Sequence, residues 1–323
     1  MLNRHSGLKF LTGAIAAVAL SAMPAVAADL TFTKAPPPEP APTLDIHGFF
    51  DVTFKNDYIT PRGLLVTNTG LTTQLLSGIV FDLYKDPGGF INKFSISGGS
   101  WNDLWSEQHS PTVGPWNELD WFVEADVVFA RDWRFGVQFI QFDSPPGNFR
   151  AESNVEFTLA YSDKGWGVLP IAINPYAKLF WAVSGDSTVV VGDRGGTYDV
   201  ELGIVPTLDL NKYGTPLVLT APTWITVGPA SFWNRGVTGC GPFAFSTCSL
   251  SNAGVFSTGL KGTVPLAFIP ARWGKWYADA GVQYYHLIND SLLLAQTFTG
   301  TASSYATAHR DVTVAFAGVG FGF

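Results

Sequence analysis

Residues 118–139 read ELDWFVEADVVFARDWRFGVQF. Leu119, Trp121, Val123, Ala125, Val127 and Phe129 take every second position, with Glu118, Asp120, Phe122, Glu124, Asp126 and Val128 between them. After Arg131 and Asp132 the alternation resumes, setting Trp133, Phe135, Val137 and Phe139 against Arg134, Gly136 and Gln138. Period two is the side-chain repeat of a strand, and the Arg-Asp pair leaves room only for a tight hairpin turn. One face of the hairpin is a continuous apolar band. The other carries four carboxylates on its first strand and Arg134 on its second. A sheet in water buries the apolar face, whereas a barrel in a bilayer turns it to lipid and wraps the charged face around a lumen. The hairpin fits both, so the rest of the chain has to choose.

Across 323 residues, aromatics make up 14% and charged residues only 14%, about half the usual charged share. No stretch beyond the leader is apolar for the roughly 20 residues a spanning helix needs. Residues 1–27 have the pattern of a cleaved secretory signal. Arg4 and Lys9 supply the positive region, Phe10 to Leu20 the apolar core, and Ala25, Val26 and Ala27 the small-residue cleavage site. The formal charge is −7 and falls further once Arg4 and Lys9 leave, which argues against nucleic acid as a partner. In an exported chain, Cys240 and Cys248 fit a disulfide closing a short loop. The sequence holds no clustered Cys/His ligands and no glycine-rich phosphate loop, so no cofactor or metal is expected.

Residues 28–43 contain the run KAPPPEPAP and form a proline-rich spacer, extended and without packing of its own. It is either a plain linker or a contact for peptidoglycan. Residues 44–323 divide into about twelve strands: Leu44–Tyr58, Thr73–Lys85, Ile91–Trp105, the opening hairpin pair, Ala151–Tyr161, Ile171–Val183, Thr197–Leu210, Leu217–Val227 (weakened by Pro222), Val255–Phe268, Lys275–Ile288 and Asp311–Phe323. Long connections such as Thr60–Leu71, Gly228–Gly254 and Asn289–Arg310 alternate with short ones such as Asp86–Phe90 and Pro270–Gly274. Phe142–Arg150 and Ser162–Pro170 depart from that alternation. The expected fold is an all-β transmembrane antiparallel up-and-down barrel, with long loops outside and short turns in the periplasm. A soluble sandwich would leave edges that such a barrel removes.

The chain ends in Phe323, with Phe321 and Val319 at two-residue steps behind it. Here it resembles bacterial outer-membrane β-barrel proteins, whose last strand ends in an aromatic read by the assembly machinery. The leader followed by Lys34, Ala35, Pro36 and Pro37 resembles that of outer-membrane proteins of rhizobia and their alphaproteobacterial relatives. The segment NDYITPRG at residues 56–63 is similar to the Tyr-x-x-Arg-Gly segment of TorF-type porins, with one extra residue between Tyr58 and Arg62. The resemblance implies outer-membrane localisation, contact with outer-membrane lipids and the barrel assembly machinery, and Phe321 and Phe323 as the assembly signal. In the last strand Val312, Val314 and Phe316 fall on the opposite parity from that aromatic pair. Either a bulge or a small-residue wall at Gly318 and Gly320 would reconcile them.

If the apolar bands face lipid, the lumen is lined by Asp51 and Lys55 on the first strand and Lys93 on the third. Glu118, Asp120, Glu124 and Asp126 follow on the fourth, Arg134 on the fifth, and Glu152 and Glu156 on the sixth. Lys178 on the seventh, Asp199 and Glu201 on the eighth, Lys261 on the tenth and Asp279 on the eleventh complete the set. Strands about 4.8 Å apart make cross-strand ion pairs natural. The excess of acid favours a narrow polar, cation-preferring channel for ions or small polar solutes. A non-conducting structural or cell-wall anchor is the alternative. A lipid hydrolase using Glu107, His109 and Ser110 on one loop is the remaining alternative, in which adjacent loop residues would have to point at one another. Trp101, Trp105, Trp116, Trp121, Trp133, Trp181, Trp233, Trp273 and Trp276 sit where strands end and are expected in interfacial girdles.

Overall fold

The computed structural model describes residues 44–107, 115–147, 149, 151–163, 170–185, 196–233 and 251–323. The leader, the spacer, His109, Ser110, Cys240 and Cys248 lie outside the described residues. Twelve strands form the wall: β1 Asp45–Lys55, β2 Thr72–Lys85, β3 Ile91–Trp105, β4 Trp116–Phe129, β5 Trp133–Asp143, β6 Glu152–Tyr161, β7 Pro175–Gly185, β8 Tyr198–Ile204, β9 Thr223–Val227, β10 Ala253–Pro265, β11 Lys275–Leu287 and β12 Asp311–Gly322. Each pairs antiparallel with the next, and β12 pairs with β1, so the sheet closes on itself. Closure satisfies the backbone groups that an open edge would leave bare in hydrocarbon.

Burial is inverted relative to a protein in water. Leu202, Leu260 and Val282 on the outside are 47%, 52% and 48% exposed, while Asp120, Glu156 and Asp199 on the inside are 4%, 6% and 0% exposed. This inversion makes the molecule a transmembrane barrel. Trp133, Phe129, Tyr161, Trp276 and Phe321 gather on the outer face at the end that carries the C-terminus; the Trp276 and Phe321 rings stack at 4.6 Å and those of Trp133 and Tyr161 meet at 5.0 Å. Trp116, Trp121 and Trp181 face outward nearer the other end. Trp101, Trp105 and Trp233 do not join either belt. Trp101 and Trp105 share the inward face of β3 with Asp103, and Trp233 is fully buried.

Three expected strands are each split. Residues Ile171–Ala172, Thr207–Asp209 and Val218–Thr220 carry the wall of β7, β8 and β9 onward in the same sheet, but as separate pieces. Asn174 turns at φ 50°, and Pro206 and Pro222 have no N–H to give to the ladder. In the opening hairpin the turn is Ala130, Arg131 and Asp132 rather than Arg131 and Asp132 alone, with the first two at φ 47° and 72°. The last strand has no bulge: β12 runs without a register shift against both β11 and β1. Its inward face changes from Val312, Val314 and Phe316 to Gly318, Gly320 and Gly322. The Tyr277 ring fills the space a Cβ on Gly320 would take, and Asp279 crowds Gly318 at 2.9 Å, so the small-residue wall makes room for side chains of β11.

Three long connections contribute segments that fold inward rather than outward. After β1 the chain forms a small hairpin, Tyr58–Ile59 paired with Leu65–Thr67, inside the barrel. Between β11 and β12 lies helix α2, Asp290–Thr299, and between β9 and β10 the short helix α1, Ala230–Trp233. Asn289 caps α2 by accepting from the Ser291 N–H, and Gly300 closes it at φ 77°. Ile59 and Leu65 of the hairpin, Phe232 and Trp233 of α1, and Leu292 and Leu293 of α2 form one buried cluster with Phe180, Leu287 and Val314 of the wall. The loop end of the barrel therefore has an ordinary dry core, and the polar lumen lies beneath it.

Val282 stands near the middle of β11 on the outer face. Val282→Arg should lower folding stability in lipid vesicles by about 2–4 kcal/mol, read as a shift in the urea midpoint of tryptophan fluorescence. In a protein folded in water, a half-exposed valine would tolerate the change to within about 0.5 kcal/mol.

Candidate lumenal site

Near the terminal end the inward charges are neutralised locally. Asp82 of β2 holds Lys93 at 2.8 Å, Lys85 at 2.9 Å and the His47 imidazole at 3.1 Å. Arg134 reaches across to Glu124 at 2.7 Å and Asp126 at 2.6 Å, pairing β5 with β4. Around the wall, Lys261 meets Asp279 at 2.9 Å, and Asp51 accepts from the Thr53 and Tyr277 hydroxyls at 2.7 and 3.0 Å. Of these residues Lys93, Glu124, Asp126 and Arg134 line a cavity of about 600 Å³, together with Asp120 and Gln138, among others.

Above it the inner hairpin supplies the central cation. Thr60, Pro61, Arg62 and Gly63 make its turn, closed by the Gly63 N–H to the Thr60 carbonyl at 2.8 Å. Gly63 is required there: φ is 88°, and a Cβ would lie 2.9 Å from Leu292 of α2. The turn aims Arg62 at the wall, where its guanidinium lies 3.2 Å from Glu156 and 3.4 Å from Asp199, and 3.9 Å above the Phe180 ring. Lys178 also reaches Glu156, at 2.9 Å. Trp224 donates its indole N–H to the Pro61 carbonyl at 3.4 Å. Planar, always charged and weakly hydrated, a guanidinium suits this buried double contact better than an ammonium would. A second cavity of about 310 Å³ lies against the hairpin, lined by Lys55, Tyr58, Arg62, Asp120, Glu156 and Lys178, among others.

Toward the loop end several carboxylates also meet neutral donors. Glu118 accepts from the Tyr58 hydroxyl at 3.2 Å, and Asp103 accepts from Thr72 and Trp105. Glu152 takes the Asn154 amide at 2.8 Å, and Glu201 the Tyr176 hydroxyl at 2.7 Å. Of the sequence-derived lumen residues, Glu118, Asp120, Glu152, Glu156, Asp199, Glu201 and Asp279 are buried, and Lys93, Arg134, Lys178 and Lys261 pair with carboxylates. Sequence reasoning did not place Tyr58, Arg62, Asp82 and Asp103 in the lumen. For the hairpin there was a signal: Leu64, Leu65 and Val66 follow Arg62 and Gly63, and a loop with that apolar run gains by leaving water. Phe321 and Phe323 lie on the outer face, with the Phe323 ring covering Gly48. Glu107 is exposed at the loop end, beside residues that are not described.

No family model matches the chain, and no curated protein matches it in sequence. Among solved structures it is similar to OprB of Pseudomonas putida, at 8% identity and a TM-score of 0.38 over 87% of this chain and 94% of the other. BamA of Haemophilus ducreyi lacking POTRA domains 1-3 is similar at 9% identity and a TM-score of 0.35, over 85% of this chain and 70% of the other. OprD of Pseudomonas aeruginosa follows at 9% identity and 0.31, over 87% and 95%. Likeness at this level carries no functional weight. The barrel assignment stands on the closed register and the exposed apolar face.

Arg62→Ala leaves Asp199 without its cation, and breaking one partner out of a buried pair costs about 3–5 kcal/mol. The hairpin should loosen. A cysteine placed at Leu64, which is 3% exposed, should react with a soluble maleimide at least about tenfold faster in the Arg62→Ala background, a 1.4 kcal/mol change in opening.

Proposed function

We propose that this chain is a porin-like outer-membrane channel with a narrow, cation-preferring polar passage that the inner hairpin throttles. The observation that carries this reading is the water-sized space inside the wall. Two adjoining cavities share Trp101, Asp120, Gln138 and Ile140; their lining sets Asp120, Glu124, Asp126 and Glu156 among five cationic side chains, and the further carboxylates Asp103, Glu118, Asp199 and Glu201 are buried on the same inward faces. Carboxylates in a confined lumen raise the local concentration of cations and exclude anions. Between those cavities and the loop end stands an element of few residues, held by Arg62 and roofed by α2. The C-terminal aromatic, the signal-like leader and the 56–63 segment resembling TorF-type porins support export to the outer membrane, with the short turns in the periplasm. The carried species on this reading is an inorganic cation or a small polar solute. Lipid on the outer face, the assembly machinery at Phe321 and Phe323, and peptidoglycan at the spacer are the proposed contacts.

A second reading, a non-conducting structural barrel, has its own support in the apolar cluster that fills the loop end. Planar-bilayer recording separates the two. The channel reading expects small cation-selective steps from the wild type and a larger conductance from Arg62→Ala. Neutralising Glu124 and Asp126 together should move the reversal potential in a salt gradient toward zero. No steps from either the wild type or Arg62→Ala would sink the channel in favour of the structural barrel.

A further inference from the structure

We propose that Glu118, Asp120 and the Tyr58 hydroxyl form a binding site for a divalent cation with oxygen ligands, seated where the two lumenal cavities meet. Both carboxylates leave the same face of β4 two residues apart, and each is 4% exposed. They come within hydrogen-bonding reach of each other. Directly across the strand pair from Glu118 stands Asp103, fully buried, which adds a third acidic group instead of a counter-charge. Lys55 interacts electrostatically with Asp103 from the lining of the smaller cavity, but one ammonium does not offset three carboxylates. Like charges opposite one another destabilise a sheet, and buried carboxyls this close hold either a shared proton or a cation between them.

An independent observation singles out the ligand position. Asp120 Oδ1 is buried and has no hydrogen-bond partner, and the Asp120 residue belongs to the lining of both cavities. A buried acceptor without a partner, on a residue that lines a cavity, calls for a water or an ion beside it. The donor set is two carboxylates and a phenol, all oxygen, which suits calcium better than softer metals, and water from the cavities can complete the coordination shell. Glu124 and Asp126, two turns of the pleat further along β4, already have Arg134. Those two carboxylates therefore have a cation of the chain beside them, whereas Glu118 and Asp120 form no ion pair among the described residues. The site deepens the cation-preferring reading and rests on it for its cavities, but equilibrium binding requires no flow through the barrel.

Terbium(III) luminescence in the full chain, refolded in non-ionic detergent, tests the site. Trp101 is the direct cross-strand partner of Asp120, and its ring lies 5.4 Å from that of Tyr58, so it will sensitise an ion held there. The expected result is saturable emission on tryptophan excitation that excess calcium displaces. Asp120→Asn and Glu118→Gln should each weaken uptake by about tenfold or more, the order of loss when a metal site is damaged. Asp86→Asn, in the exposed turn between β2 and β3, should leave uptake unchanged, and heat-modifiable migration reports whether each variant has folded. No saturable emission from the folded wild type, or full uptake by folded Asp120→Asn, overturns the site. Should Asp120→Asn fail to fold, calorimetric titration of the wild type with calcium decides, and absence of a saturable heat overturns it. Terbium uptake by a barrel silent in bilayers would keep the site and remove the channel; conduction without uptake would do the reverse.

Discussion

Inside hydrocarbon a peptide group has only other peptide groups to bond to. Everything else in this molecule follows from that constraint. Twelve strands close from β12 back to β1, and a chain with only 14% charged residues can keep the outward strand positions largely apolar. The exposed valines and leucines of the wall and the fully buried Asp103 and Asp199 are two sides of the same requirement.

Closure alone would leave a tube of charged side chains, and the molecule resolves that interior in two ways. At the terminal end, cations from neighbouring strands neutralise the acids pairwise, as Arg134 does for Glu124 and Asp126. Exposed pairs of this kind contribute little to stability individually, but here they line a cavity and shape its field. At the loop end, the hairpin, α1 and α2 enter the barrel and build a hydrophobic core. Arg62 joins the two regimes. It belongs to the apolar insert, yet its guanidinium reaches Glu156 and Asp199 on the polar wall and lies over Phe180.

This arrangement gives the lumen a direction. Charge compensation weakens from the terminal end toward Glu118 and Asp120, where the smaller cavity meets the insert. The glycines of β12 contribute to the same shape, since Gly318 and Gly320 give Asp279 and Tyr277 the room to lie against the wall instead of blocking the axis.

The alternation in residues 118–139 already contained the strand direction, the inward set Glu118, Asp120, Glu124 and Asp126, and the parity of Arg134, because a period of two admits only two faces. The long and short connections carried the up-and-down topology for a related reason: neighbouring antiparallel strands must be joined at alternating ends. Local sequence did not reveal that Thr60–Leu71 and Asn289–Arg310 turn inward, that Trp105 faces Asp103 rather than lipid, or that Arg62 meets acids 94 and 137 residues away. Those outcomes depend on the width of the closed barrel and on what is left to fill it. That space exists only after the twelfth strand has found the first, so no window of sequence shorter than the whole wall could specify it.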